Sequence, residues 1–244
     1  MIIFTDIDDT LMKTSRKIKE DVKELRVGAL NKKGEPFSFV DKKREKLIFE
    51  LLGNAITIPV TARSKSGFSN LQINFNNYAV LNFGGTIIDK TSSNLEVWDN
   101  HILKNTENLN QNQIFKNIQE SFSEILKEFE VKIETEKNIS FYMNFRDYAL
   151  VDGKLDRLKT SIHDFLINSK LENSFYFYQT DRDLALIPNF IKKELAVEYI
   201  LENIYSRDNL IIGLGDHKND LSFMSICDFV MFPTDSMLMK MIKE

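Results

Sequence analysis

The chain opens on a short apolar run, Ile2 to Phe4, that breaks off into three acids, Asp6, Asp8 and Asp9. Runs of the same form recur. Ala55 to Val60 ends in Thr61-Ala62-Arg63, Tyr78 to Phe83 runs into Gly84-Gly85, and Leu210 to Leu214 ends in Gly215-Asp216-His217-Lys218-Asn219-Asp220. Apolar runs of this length, bounded by polar or glycine clusters, predict buried strands. Between them, apolar residues at helical spacing predict helices over Lys42 to Leu52 and over Lys192 to Asn203. A further helix is expected from Leu221, a strand over Phe229 to Phe232 and a terminal helix over Ser236 to Lys243. The lysine-rich stretch from Met12 to Lys33 is expected to hold a helix over Lys17 to Leu25, followed by a turn at Gly34-Glu35-Pro36. The charges of the whole stretch between Thr10 and Thr61 read as a solvated surface with no site in it.

The middle of the chain has another texture. An amphipathic helix is predicted over Asn112 to Phe129, then strands over Val131 to Glu134 and Ile139 to Phe145. A second helix over Lys154 to Asn168 precedes strands over Phe175 to Gln179 and Leu184 to Ile187. In the second of these strands Ile139, Phe141, Met143 and Phe145 alternate with Ser140, Tyr142, Asn144 and Arg146, so one sheet face is buried and the other is polar. Strands alternating with helices in the outer segments predict an α/β fold with a doubly wound, Rossmann-like parallel sheet. This core takes residues 1–85 and 188–244. Residues 86–187 form an inserted α+β domain of order αββαββ, a duplication of architecture without detectable repetition of sequence.

Composition narrows the class further. The 244 residues are 43% hydrophobic and 28% charged, with a net charge of −4, which suits a globular protein and argues against a nucleic-acid-binding surface. No apolar run approaches the ~18 residues of a membrane span. The single cysteine, Cys227, rules out an internal disulfide, and no signal peptide is expected ahead of a strand that begins at Ile2. A cytoplasmic enzyme without membrane or nucleic-acid partners is the expectation.

The chemistry gathers at the strand tips. In an open α/β sheet the carboxyl ends of the strands line the ligand crevice. That edge receives Asp6 and Asp8 from the first strand, Thr61 from the second, Asp216 and Asp220 from the late one, and Lys192 or Lys193 from the helix after the insertion. Asp6 and Asp8, two residues apart in extended chain, point the same way and suit a pair made of one nucleophile and one proton donor. Four acids cannot share a dry pocket without compensating charge. Mg²⁺, a hard cation that takes oxygen ligands, and a lysine together supply it, and the set suits phosphoryl transfer.

Asp-x-Asp-x-Thr at Asp6 to Thr10, Thr61 at a strand tip, the later lysine, and Gly-Asp-x-x-Asn-Asp at Gly215 to Asp220 resemble the four motifs of the haloacid dehalogenase (HAD) superfamily. They occur in the family's order and span nearly the whole chain. The second aspartate resembles the phosphatase and phosphomutase branches. The insertion resembles a type-IIB cap, as in Cof-like and sucrose-phosphate phosphatase-like members. The resemblance implies a Mg²⁺-dependent phosphatase acting on a small phosphorylated metabolite, a sugar phosphate, through an aspartyl-phosphate. It makes Asp6 the nucleophile and Asp8 the acid and base. Thr61 and Lys193 bind phosphate, and Mg²⁺ is held by Asp6, Asp8 through its carbonyl, Asp216 and Asp220. The family's usual Lys-Gly-x-Ala becomes Lys193-Glu194-Leu195-Ala196, a departure that keeps Lys192 as a second candidate. His217 stands where a small residue is commoner and reads as an exposed loop side chain.

Specificity is expected in the inserted domain, because the core groups see only phosphate. Tyr142, Arg146 and Arg182, with Asn144 and Gln179, are the polar candidates on its open sheet face. Arg63 reads as a surface cation. The alternatives are a phosphomutase of the phosphomannomutase type, which needs more inward arginines, and a non-catalytic binding or regulatory relative, which would have lost a motif acid.

Overall fold

Ile2–Thr5 form β1, a strand buried along its whole length. The computed structural model describes residues 1–18 and 20–243. After β1 come β2 (Lys13–Thr14), β3 (Arg26–Leu30) and β4 (Pro36–Val40), an antiparallel sheet in the order β2-β4-β3. This sheet is a correction. Where spacing predicts a helix over Lys17 to Leu25 there are two 3₁₀ turns, Ser15–Lys17 and Val22–Glu24; Lys19 lies outside the described residues. Asp21 accepts the amide of Lys23 and so favours a local turn over a continuing helix. Beyond it, pairing with β4 buries Ala29, Ser38, Phe39 and Val40, which the surface reading of this stretch did not anticipate.

Helix α1 (Lys42–Glu50) starts at Asp41, whose carboxylate accepts the amides of Lys43 and Arg44. Next come β5 (Ile56–Pro59), the short α2 (Lys65–Ser69), and a hairpin of β6 (Ala79–Leu81) with β7 (Thr86–Ile88).

The contacts divide the chain into two units, Met1–Glu96 with Lys192–Glu244, and Val97–Ile191. The divisions lie beyond the change of texture at 86 and 187. The β6–β7 hairpin pairs back on the first unit through Val60 and Val80, and Leu95 still donates its amide to Ile87.

The second unit begins with α3 (Glu96–Leu109), α4 (Gln111–Ser121) and α5 (Ser123–Leu126). The helix expected over Asn112 to Phe129 is thus broken at Phe122, and α3, which buries Trp98 and Ile102, precedes it. Strands β8 (Glu130–Glu136) and β9 (Ile139–Arg146), helix α6 (Lys154–Asn168), and strands β10 (Phe175–Gln179) and β11 (Asp183–Pro188) complete it. The four strands form one antiparallel sheet, order β10-β11-β9-β8. One face supplies Met143, Phe145, Leu184, Leu186 and Phe175 to a core shared with Ile114, Phe115 and Ile118 of α4 and Leu158 and Ile162 of α6. Gln179 is on this helix-covered side, bonded to Asp156 of α6 at 2.9 Å, and not on the open face.

The chain returns through α7 (Lys193–Asn203), β12 (Ile211–Leu214), α8 (Leu221–Met224), β13 (Phe229–Met231) and α9 (Met237–Lys243). β13, β12, β1 and β5 form a parallel sheet in that order, with Phe4 opposite Gly213 on one side and Ile58 on the other. Ile3 packs with Leu47, Ile48 and Leu51, while its neighbours Ile2 and Phe4, fully buried, face the other way. Sheet and helices together are the doubly wound core expected from the sequence. Among the described residues no helix is long and apolar enough to cross a membrane.

Gly84 sits against the start of α7. At its φ of +104° an added Cβ would lie 2.2 Å from the Lys192 carbonyl oxygen. Gly84→Ala is expected to cost at least ~2 kcal/mol in urea unfolding, from overpacking together with a forbidden backbone angle. Gly34→Ala, at a φ of +79° with nothing within 4 Å of the new atom, should cost about 1 kcal/mol from the backbone angle alone.

Candidate active site

Every catalytic candidate of the core lies in the first unit, at the carboxyl ends of its strands. Asp6 follows β1 directly, its amide bonded to the Leu214 carbonyl at 2.7 Å, so β12 fixes where the carboxylate emerges. Lys193, the first residue of α7, donates to Asp6 Oδ1 at 2.9 Å and to Asp220 Oδ1 at 2.7 Å. Of the two lysine candidates, Lys193 is thus the one among the acids; Lys192 supplies the helix cap position. Asp220 Oδ2 accepts the amides of Asp216 and His217 at 3.2 and 3.0 Å, which folds the Gly215–Asp220 loop onto itself. His217 is half-buried rather than exposed. Its Nδ1 accepts the Asn219 amide, because the tight turn there needs an acceptor at its start. Thr10 reaches both Asp6 Oδ2 and Asp216 Oδ1 at 3.3 Å. Thr61, 1% exposed, follows β5; its hydroxyl accepts the amide of Arg63.

Arg63 is the residue that sequence reasoning undervalued. It grips Asp8 with two parallel bonds, Nε to Oδ2 at 2.7 Å and Nη2 to Oδ1 at 2.8 Å. Nη1 donates to the Gly67 carbonyl at 2.9 Å. The guanidinium stays charged: burial works against it, but the Asp8 carboxylate outweighs burial. A cation two residues past a strand-tip threonine was the available signal.

The charge balance follows from these contacts. Asp6 is pushed well above the usual carboxylate range, first by burial and then by Asp220, Asp216 and Asp8; Lys193 opposes the rise without cancelling it. Asp216 is pushed up to about 7, again first by burial and then by Asp220 and Asp9. Burial alone would strip Lys193 of its proton, yet Asp220 and Asp6 hold its ammonium firmly charged. The four acids Asp6, Asp8, Asp216 and Asp220 face two cations, Lys193 and Arg63. The two negative charges left over match one divalent ion. Asp6, Asp216 and Asp220 each offer an oxygen within 4.8 Å of the others, a donor set of hard oxygens that fits Mg²⁺.

Of the polar candidates on the inserted unit, Tyr142, Asn144 and Arg146 lie on β9, and Arg182 is in a turn rather than on the open sheet face. Tyr142 is on the sheet face away from the helices, and burial raises its hydroxyl pKa. Arg146 is paired with Asp183 at 2.8 Å and lies over the Tyr148 ring at 6.0 Å. Arg182 is in the turn between β10 and β11, its carbonyl accepting the Asp147 amide.

A parallel sheet of order β13-β12-β1-β5 with an acidic tip, a strand-tip threonine and a buried lysine defines a HAD-type hydrolase. The family model described as sucrose-6F-phosphate phosphohydrolase matches residues 54–230. The chain belongs to that family and is a phosphoric monoester hydrolase of the HAD type. No curated protein matches it by sequence. Among solved structures it is similar to the sucrose-phosphatase of Synechocystis sp. PCC6803 in complex with sucrose and phosphate (TM-score 0.58, 15% identity, 92% of this chain and 79% of that one). It is also similar to the C-terminal domain of C. albicans trehalose-6-phosphate phosphatase (TM-score 0.58, 13% identity, 92% and 72%). A third is a haloacid dehalogenase-like hydrolase from Bacteroides thetaiotaomicron (TM-score 0.56, 16% identity, 99% and 98%). At these identities the likeness is one of fold.

The raised Asp216 gives a pH signature. In the metal-free protein the folded state keeps a proton that the unfolded chain releases near pH 4. Stability from this group is therefore present at low pH and lost as pH rises toward about 7. Scanning calorimetry of metal-free protein should show a melting temperature that falls over this window. Excess Mg²⁺ should raise it more at pH 7.5 than at pH 5, and Asp216→Asn should flatten both effects. A melting temperature insensitive to Mg²⁺ at either pH would remove the metal assignment.

Proposed function

We propose that this protein is a Mg²⁺-dependent phosphatase of small sugar phosphates that works through an aspartyl-phosphate on Asp6. The observation that carries the reading is the sharing of buried Lys193 between Asp6 and Asp220, beside an Asp8 held separately by Arg63. Two carboxylates two residues apart thus have different partners. In this reading the burial and neighbouring acids that raise Asp6 are offset by a bound cation, leaving it ionised for attack, while Asp8 exchanges its Arg63 contact for a proton-transfer role.

In this reading Asp6 attacks phosphorus and the ester P–O bond breaks. Asp8, entering this step protonated and released from Arg63, delivers its proton to the departing sugar oxygen. Asp8 then takes a proton from water as that water attacks phosphorus, which frees inorganic phosphate and regenerates the Asp6 carboxylate. Thr61, through its hydroxyl and the backbone around it, and Lys193, through its ammonium, hold phosphoryl oxygens. Asp6, Asp216 and the carbonyl of Asp8 would hold Mg²⁺, with Asp220 beside them, and the ion supplies neutralising charge to the phosphoryl group.

Tyr142, Arg146 and Arg182 remain the candidates for substrate selection within the inserted unit. The phosphomutase alternative needs cations for a second phosphate, and Arg146 is already committed to Asp183. The thiol of Cys227, pushed up to about 12 first by burial and then by Asp228, stays protonated and takes no part in the chemistry, and a cytoplasmic setting is part of this reading.

Phosphate release should be measured from sucrose-6-phosphate, trehalose-6-phosphate and a set of hexose phosphates, with and without Mg²⁺. Wild-type protein is expected to release phosphate only with the metal. Asp6→Asn should abolish turnover with the fold intact, and Asp8→Ala should lower kcat by ~10²–10⁴-fold. Full turnover by Asp6→Asn would remove the nucleophile assignment, and a purely KM effect in Asp8→Ala would remove its proton-transfer role.

A further inference from the structure

Directly after Asp6 the chain doubles back within six residues. Leu11 and Met12 donate their amides to the Ile7 carbonyl at 2.8 and 3.3 Å, and Asp9 donates to the Met12 carbonyl at 2.8 Å. Asp9, at the crest, has a φ of +65°, a left-handed angle that side-chain-bearing residues adopt only when the surroundings impose it. The two residues flanking it are Asp8, in Arg63's grip, and Thr10, whose hydroxyl reaches Asp6 and Asp216. Whatever holds this crest therefore sets the direction of both.

What holds it comes from another element. Arg44, in the first turn of α1, donates Nε to the Thr10 carbonyl at 2.9 Å and Nη2 to the Asp9 carbonyl at 3.2 Å. Among the described residues no backbone amide donates to either carbonyl. The guanidinium is fixed in turn by Asp41 through Nη1 and by Asp235 through Nη2 at 3.2 Å, and the side chain is only 12% exposed. A planar fork can span two successive carbonyls while bonding carboxylates behind it; a lysine ammonium, a single point of charge, cannot.

We propose that Arg44 is a positioning residue for phosphoryl transfer: it clamps the left-handed peptide at Asp9 and so aims Asp8 and Thr10 at the reacting group. Arg44 touches neither substrate nor phosphorus. It acts through backbone, as Arg63 acts on the side chain of Asp8. The role in turnover rests on the phosphatase reading above; the clamp itself does not.

The test compares wild type with Arg44→Lys, Arg44→Gln and Asp235→Asn, using p-nitrophenyl phosphate with Mg²⁺. Arg44→Lys and Arg44→Gln should lower kcat by about 10²-fold with KM within about twofold, the pattern of lost alignment rather than lost binding. Asp235→Asn removes the charge that pairs with Arg44 Nη2 and with Lys13 but leaves the Arg44 bonds to the Asp9 and Thr10 carbonyls, and should keep kcat within about threefold of wild type. Hydrogen exchange followed by mass spectrometry supplies the second readout. In both Arg44 variants the Ile7–Met12 segment should exchange at least tenfold faster while β1 stays protected. Wild-type kcat in Arg44→Lys, an equal fall in Asp235→Asn, or unchanged exchange over Ile7–Met12 would each overturn the proposal. If wild type itself turns nothing over, the phosphatase reading fails, and the exchange data still decide whether Arg44 is the clamp.

Discussion

One ammonium group organises the catalytic unit. Lys193 is buried among acids, and its bonds to Asp6 and Asp220 join the first strand of the sheet to the loop after β12. A buried charge of either sign costs several kcal/mol unless it is paired and hydrogen-bonded, so neither partner is tolerable alone. The pairing is also incomplete by design of the loop: Asp216 and Asp6 retain unbalanced negative charge, which a bare protein stores as raised proton affinity and a loaded one can spend on a cation. The same groups that are costly to bury together offer the hard oxygen donors that fit a divalent cation.

Around that centre, rigidity is delegated to arginines. Arg63 fixes a side chain, Arg44 fixes a backbone turn, and both emerge from elements adjoining the sheet rather than from the strands themselves. The strands set the position of the acids coarsely, through register. Finer aim comes from guanidinium groups whose planar donors match carboxylates and carbonyls in pairs.

Much of this was legible from residue order. Three apolar runs ending in Asp6, Thr61 and Gly215-Asp216 marked tips of the parallel sheet, because a buried parallel strand can be read as an apolar run and its polar end as the site, while the run into Gly84 is a strand of the β6–β7 hairpin. The alternation from Ile139 to Arg146 gave the inserted sheet and its buried face. What escaped depends on partners distant in sequence. The β2-β4-β3 sheet exists because β3 and β4 pair across a turn, and weak helical spacing from Lys17 to Leu25 could not reveal that. Gln179, by contrast, is in phase with Phe175 and Phe177 on the helix-covered face of β10, where it meets Asp156, so its side follows from the strand's own alternation. Arg44 looked like one more surface charge in a basic helix start; only folding brings it to Thr10.

The spacing along the chain has a consequence for synthesis. Lys193 lies 187 residues after Asp6, and β12, which covers one edge of β1, comes later still. The second unit, by contrast, is continuous from Val97 to Ile191 and holds its own apolar core. On a ribosome that middle portion is complete while the flanking portion has only β1 to β7, with a bare strand edge and acids lacking their counter-charge. The order of folding thus departs from the order of sequence: the inserted part can condense first, and the part that flanks it in sequence closes last, around a lysine whose late arrival leaves the nascent acids dependent on solvent until the final quarter of the chain is made.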